Sequence, residues 1–260
     1  MDRDQQYQLV LSWSTGGSRT GFQGFDLSGR GLAQANLAGA RLEWANLSDT
    51  NLRKAELSEA SLVGADLCRA VLSQANLSGA DLRLANLHEA MLIGANLSGA
   101  DLRAAYLVRA NLKVVNFSGA NLAGALLAEA KLAGATLSGA KNLTGLNLKQ
   151  ASLARADLTR VNLAGAFLGE ADLTQAMLVQ VNLAGAFLGG ARLIRADLTG
   201  ALLAGANLAG AKLGGADLAG ASLRGAVLAE TNLFEANLSE TDLSGANLSG
   251  AIMPDGTRHP

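Results

Sequence analysis

Cys68 and His88 are the residue types in this chain best suited to covalent or metal chemistry, and they lie twenty residues apart. A thiol beside an imidazole can act as nucleophile and base. The sequence supplies no obvious third group to orient such a pair, and the second histidine, His259, sits next to the C-terminus. The Gly-rich segments recur at regular intervals, as do Asp and Asn. They read as corner residues of a repeat, not as phosphate cradles or acid/base pairs. No catalytic, cofactor-binding or metal-ligating residue is assigned, no cofactor is expected, and the chain reads as a non-enzyme.

What must position every side chain here is a repeat of five. Leu or Phe falls on every fifth residue from Leu27 to Leu137, with Phe117 the one substitution. After a single step of six, the beat resumes at Leu143 and runs to Leu248, with Met253 as a last weak beat. Two places before each beat sits a small residue, nearly always Ala, and one place before is often Asn or Asp. Aromatic residues make up 4% of the chain, so a core of varied large side chains is not on offer. The interior must come from stacking Leu and Ala repeatedly, which argues for one solenoid.

Five fits neither standard period. On a helix the Leu positions would scatter around the cylinder, because residues are spaced about 100° apart. On a flat strand they would alternate between faces. The period works if the chain turns a corner once per unit, with Leu and Ala inside and small or turn-forming residues at the corners.

The stretches "ANLSGADLRLANL", "ADLTRVNLAGAFL" and "ANLSGADLRAAYL" resemble the pentapeptide-repeat family, in a cyanobacterial-type member. The resemblance covers residues 20–255. It implies an all-β solenoid, a right-handed quadrilateral β-helix with four five-residue units per coil. Residues twenty apart should then stack. Asp49, Arg69, Glu89, Arg109 and Glu129 alternate in sign at that interval, which favours such stacking over like-charge repulsion.

The expected organisation is an N-terminal cap over 1–19, a single β-helix over 20–255 with a one-residue bulge near 140–142, and a C-terminal tail over 256–260. Tyr7, Leu9, Val10, Leu11 and Trp13 suggest a short amphipathic helix over 4–14, closed by Gly16 and Gly17. Such a cap would cover the open edge of the first coil. At the step of six, Ala140 should keep its inward seat, while Lys141 and Asn142 share one place with Lys141 in water. Leu146 should fill the next inward seat. Pro254, Asp255 and Gly256 are turn chemistry that ends the repeat.

No basic segment precedes an apolar run at the N-terminus, and no uninterrupted 18-residue apolar stretch exists. One cysteine cannot form an internal disulfide. These features suggest a cytoplasmic protein without a membrane partner, and a monomer is favoured.

The chain carries 21 Lys and Arg against 22 Asp and Glu, a formal net charge of −1. Sorted by side, Arg53, Lys54, Lys113, Lys131, Arg155, Arg192, Arg195 and Lys212 make one side basic against Asp172, Glu235 and Asp255. The next side carries Glu56, Glu59, Asp157, Asp197, Asp217 and Glu240 against Arg160. Tyr106, Leu126, Phe167 and Phe187 fall at the place before the beat, where small polar residues are usual, and are the candidate partner-binding residues. The function expected is a protein-interaction scaffold or regulator that presents flat, rigid faces to a protein partner. The alternative, implied by the quinolone-resistance branch of the family, is a DNA mimic acting on an enzyme such as gyrase. A mimic needs a strongly anionic surface, so nucleic-acid-like character is not expected at a net charge of −1.

Overall fold

The computed structural model describes residues 1–14 and 21–260. The expected Gly16–Gly17 helix stop lies outside the described residues. The chain divides into two compact units, Met1–Ala130 and Lys131–Pro260.

The first unit opens with helix α1, Arg3–Ser14. A reciprocal capping pair starts it: Gln5 N–H donates to Asp2 Oδ1 at 2.8 Å, and Asp2 N–H donates to Gln5 Oε1 at 3.0 Å. The helix then supplies partners that an outermost layer would otherwise lack. Gln6 Oε1 accepts from the Asp26 N–H at 2.7 Å, and Tyr7 Oη donates to the Gly31 carbonyl at 2.7 Å. Arg3 donates to the Ser28 carbonyl at 2.5 Å. Val10 is fully buried, and Trp13 packs edge-on against Phe22 with centroids 5.6 Å apart. The beat begins one step earlier than Leu27, because Phe22 is fully buried and its N–H donates to the Arg41 carbonyl at 2.7 Å.

Beyond α1 the first unit is a parallel β-helical stack. Its bridges join residues twenty apart, such as Asp26 to Asn46 to Asp66 to Asn86. Each five-residue unit accounts for its backbone N–H groups in the same way. Leu47 N–H donates forward to the Asp66 carbonyl at 2.7 Å, and Asn46 N–H donates back to the Phe25 carbonyl at 2.8 Å. Asp49 N–H donates forward to the Cys68 carbonyl at 2.9 Å. Ala45 N–H closes a turn onto the Leu42 carbonyl at 3.1 Å, with the third turn residue, Trp44, at φ 61°. That is the pattern of a type II turn. The fifth N–H, on the residue after Leu, takes a side chain: Ser48 N–H donates to Asn46 Oδ1 at 3.1 Å. This is why Asn or Asp so often precedes the beat.

The beat residues and the Ala two places before them point inward, and the beats from Leu42 to Leu127 are without exposure. Each such Leu contributes roughly 1.5–3 kcal/mol of transfer free energy. Thr50 occupies an Ala seat at 0% exposure because its hydroxyl donates to the Leu27 carbonyl at 3.0 Å.

The second unit repeats the plan. Lys131 bridges Ser152 and Thr136 bridges Asp157, both twenty-one apart, whereas Asn147 bridges Phe167 at twenty. The step of six is therefore absorbed between Thr136 and Asn147. Lys141 is exposed and Leu146 is buried, as expected. Ala140 departs from expectation: it is only half-buried, because the extra residue draws the chain away from the core there. Asn142 takes the left-handed turn conformation at φ 60°. At the C-terminus Ile252 forms an antiparallel bridge with Arg258, and His259 N–H donates to the Ala251 carbonyl at 2.8 Å. Thr231 repeats the Thr50 solution, its hydroxyl donating to the Leu208 carbonyl at 2.9 Å.

The alternating charges of the first unit close as two pairs rather than a continuous ladder. Arg69 grips Asp49 through Nε at 2.8 Å and Nη2 at 2.7 Å, and Arg109 Nε meets Glu129 at 2.8 Å. Glu89 instead faces His88, at 3.7 Å.

Deleting Lys141 restores a step of five and should leave unfolding cooperative, with a melting temperature at least equal to that of the parent; loss of the cooperative transition would contradict this reading of the insertion. A second expectation concerns acid. The hydrogen bond from Arg69 holds the Asp49 carboxyl below its ordinary value, as Arg103 does for Asp101 and the Thr257 side chain for Asp255. Carboxyls lowered on folding stabilise the fold above their unfolded pKa, and that stability is lost as pH falls through the folded value. The melting temperature should be flat from pH 7 to about 5 and decline below about pH 4; a decline already complete at pH 5 would show that these carboxylates do not control the acid limb.

Candidate functional site

The bridge from Asp66 to Asn86 sets Cys68 and His88 side by side in adjacent layers. Their surroundings do not activate them. Burial, first of all, pushes the Cys68 thiol pKa up, opposite to what a thiolate nucleophile needs. The His88 ring lies 5.5 Å from Tyr106, and its buried Nδ1 has no hydrogen-bond partner. Nothing orients the imidazole toward the sulfur. Among the described residues no group of three His, Cys, Asp or Glu side chains could hold a metal ion. No described helix is long and apolar enough to cross a membrane.

The outward residues are more informative. In the first unit Tyr106 bridges Leu126, and the two are 40% and 42% exposed. In the second unit Phe167 bridges Phe187, and their rings stack 5.1 Å apart at an interplanar angle of 4°. All four occupy the seat where Asn or Asp usually caps the following turn. The cost is legible in the hydrogen bonds. Asn147 and Asn207 accept from the N–H groups of Lys149 and Ala209 at 3.1 and 3.0 Å. Gly169 and Gly189, which follow Phe167 and Phe187, donate to no described residue. An apolar ring here gives up a net contribution of about 1 kcal/mol and leaves an aromatic surface in water.

Trp44, Leu84 and Val114 are 64%, 57% and 65% exposed, more than any of those four, and the sequence did not single them out. They sit at the third turn residue, with φ between 58° and 61°. Gly is the unstrained choice there, and a bulky or β-branched residue costs on the order of 1 kcal/mol. The Trp44 ring lies over Gly64, where an added Cβ would come within 2.2 Å of it. A large apolar residue in a seat otherwise held by Gly or a long polar side chain was the available signal.

Charge is also sorted by side in the second unit. There Lys131, Ser152, Asp172, Arg192 and Lys212 form one bridge column, and Thr136, Asp157, Met177, Asp197 and Asp217 the next. In the second unit, then, a mainly basic column lies beside a mainly acidic one.

The family description "pentapeptide repeats" matches residues 35–74, 69–104, 105–141, 142–175, 176–215 and 211–250. Solved structures similar to this chain include HetL, a pentapeptide repeat protein involved in heterocyst differentiation regulation from the cyanobacterium Nostoc sp. strain PCC 7120. It is 36% identical, over 96% of this chain and 98% of HetL, with a TM-score of 0.34. Full-length QnrB1, a plasmid-mediated fluoroquinolone resistance protein, is 16% identical over 86% of this chain and 91% of its own, with a TM-score of 0.34. The pentapeptide repeat protein Rfr23 from the cyanobacterium Cyanothece 51142 is 26% identical over 46% of this chain and 86% of its own, with a TM-score of 0.26. A search of curated protein sequences finds no match. By its five-residue unit and by the extent of the family match, this chain belongs to the pentapeptide repeat family.

Proposed function

We propose that the protein is a non-enzymatic docking scaffold or regulator whose stiff outer surface binds a protein partner through Tyr106 and Leu126 in the first unit and Phe167 and Phe187 in the second. The observation that carries this reading is the replacement of a turn-capping Asn or Asp by a large apolar side chain, at a loss to the fold. Aromatic side chains on a preformed surface dominate contact energies, and a stiff β-helix spends little ordering entropy on binding. The finer architecture proposed is a right-handed quadrilateral coil of four units, supported by the twenty-residue bridges. A reducing, cytoplasmic setting accords with the single cysteine. DNA mimicry is the weaker reading, since 21 cationic and 22 anionic residues nearly balance and a basic column runs beside the acidic one.

Phe167→Asn combined with Phe187→Asn tests this reading. The new amides regain acceptors for the Gly169 and Gly189 N–H groups, so the melting temperature should hold or rise. Partner capture from a native lysate, scored band by band against the parent, should be lost. Retention of every band would reduce the two rings to covers for the turn.

A further inference from the structure

A different side of the first unit carries a second kind of surface. Asn51, Val71, Met91 and Asn111 form successive parallel bridges, with Arg53, Lys54, Ser73, Gln74, Ile93, Lys113 and Val114 in the turns beside them. Residues 51–54, 71–74, 91–94 and 111–114 contain three cations and no carboxylate. Arg53, Lys54 and Lys113 are exposed and form no ion pair among the described residues. Asp49 and Glu56, the nearest acids along the chain to Arg53 and Lys54, are already engaged by Arg69 and Asn76. Arg69 neutralises Asp49, whereas Glu56 accepts from a neutral amide and keeps its charge; within the side itself the three cations face no carboxylate.

Between them lies a shallow groove of about 350 Å³, lined by Arg53, Val71, Ser73, Gln74, Met91 and Ile93. Val71 and Met91 hold seats that Asn or Asp hold elsewhere. The N–H groups of Ser73 and Ile93 therefore lack the acceptor that their equivalents enjoy, and no described residue replaces it. The groove combines apolar side chains, two free backbone donors and flanking cations. Ser73 and Gln74 can both donate and accept, while the backbone donors and the cations call for an acceptor or an anion. Met91 and Ile93 are 42% and 36% exposed and line the groove together with the Arg53 cation, a mixed surface that suits an acidic, partly apolar partner segment.

We infer that this side binds an extended, acidic segment of another protein, with an apolar side chain seated among Val71, Met91 and Ile93 and carboxylates at each end on Arg53 with Lys54 and on Lys113. Three layer steps of about 4.8 Å separate Arg53 from Lys113, roughly 14 Å in all. An extended chain rises about 3.4 Å per residue, so acids four residues apart span that length. The carbonyls and carboxylates of such a segment also supply acceptors for the Ser73 and Ile93 N–H groups. This site is independent of the contacts at Phe167 and Phe187.

The test is fluorescence anisotropy with the full chain and a fluorescein-labelled peptide Ser-Gly-Glu-Leu-Val-Leu-Glu-Gly-Ser. Saturable binding is expected, weakened at least tenfold by Arg53→Glu with Lys113→Glu and several-fold by Met91→Asn. Met91→Asn restores the acceptor for Ile93, so it should fold at least as well as the parent. The same peptide with Lys for both Glu residues should not bind, and Phe167→Asn with Phe187→Asn should change nothing. Absence of saturable binding, or equal binding by the charge-reversed and Met91→Asn variants, overturns the inference. So does binding of phosphatidylserine–phosphatidylcholine vesicles in place of the peptide, which would make the surface a lipid contact.

Discussion

The hydrogen bonds between successive layers constrain everything else in this protein. Of the five backbone N–H groups in a unit, one donates backward across a layer, two donate forward, and one closes the local turn. The remaining one depends on the side chain just before Leu. This arrangement demands that residues twenty apart stay in register, that one turn residue adopt a positive φ, and that Leu and Ala share the interior. The five-residue pattern is the sequence expression of those demands. Even the single insertion obeys them: the bridges lengthen to twenty-one at Lys131 and Thr136 and return to twenty at Asn147.

A backbone so fully committed leaves the outer seats free to vary, and variation there has a readable cost. An apolar residue in the capping seat forfeits a hydrogen bond, as at Tyr106, Met91 and Phe167. A bulky residue at the third turn position strains the backbone, as at Trp44 and Val114. The ring stacking of Phe167 on Phe187 and the cover of Trp44 over Gly64 return part of that cost, yet these side chains stay 40% or more exposed. The places where the repeat is locally weakened are therefore the places where an external partner would offset the loss. Cys68 and His88 are set aside on other grounds, because a half-buried thiol with a raised pKa and an imidazole that no hydrogen bond holds toward the sulfur supply no reactive pair.

Much of this was legible in the sequence, and the gaps have physical causes. The Leu and Ala seats and the outward Lys141 followed from periodicity and the cost of burying a charge, while the twenty-residue stacking of Asp49 on Arg69 was what the family resemblance implied and the alternating charges supported. The start at Phe22 was missed because no Ala or Asx precedes it in the usual pattern. Ala140 was given a buried seat because an inward place accepts Ala but not an unpaired Lys, whereas beside the added residue it is only half-buried. Trp44, Leu84 and Val114 were overlooked because spacing shows which residue turns the corner but not that the turn requires a left-handed conformation. The capping role of Asn and Asp was visible only as a preference for corners; the orphan N–H that explains it needed the hydrogen bonds.

Amide hydrogen exchange resolved by residue tests the central claim most directly. If the inter-layer ladder governs the structure, the N–H groups of the inward Leu residues and of the residues before them should exchange only by global opening. The N–H groups of Gly169, Gly189, Ser73 and Ile93 should exchange orders of magnitude faster, and faster than those of Lys149 and Ala209, which Asn side chains hold. Uniform protection across all five places of the unit, or rapid exchange at the Leu positions, would contradict the account.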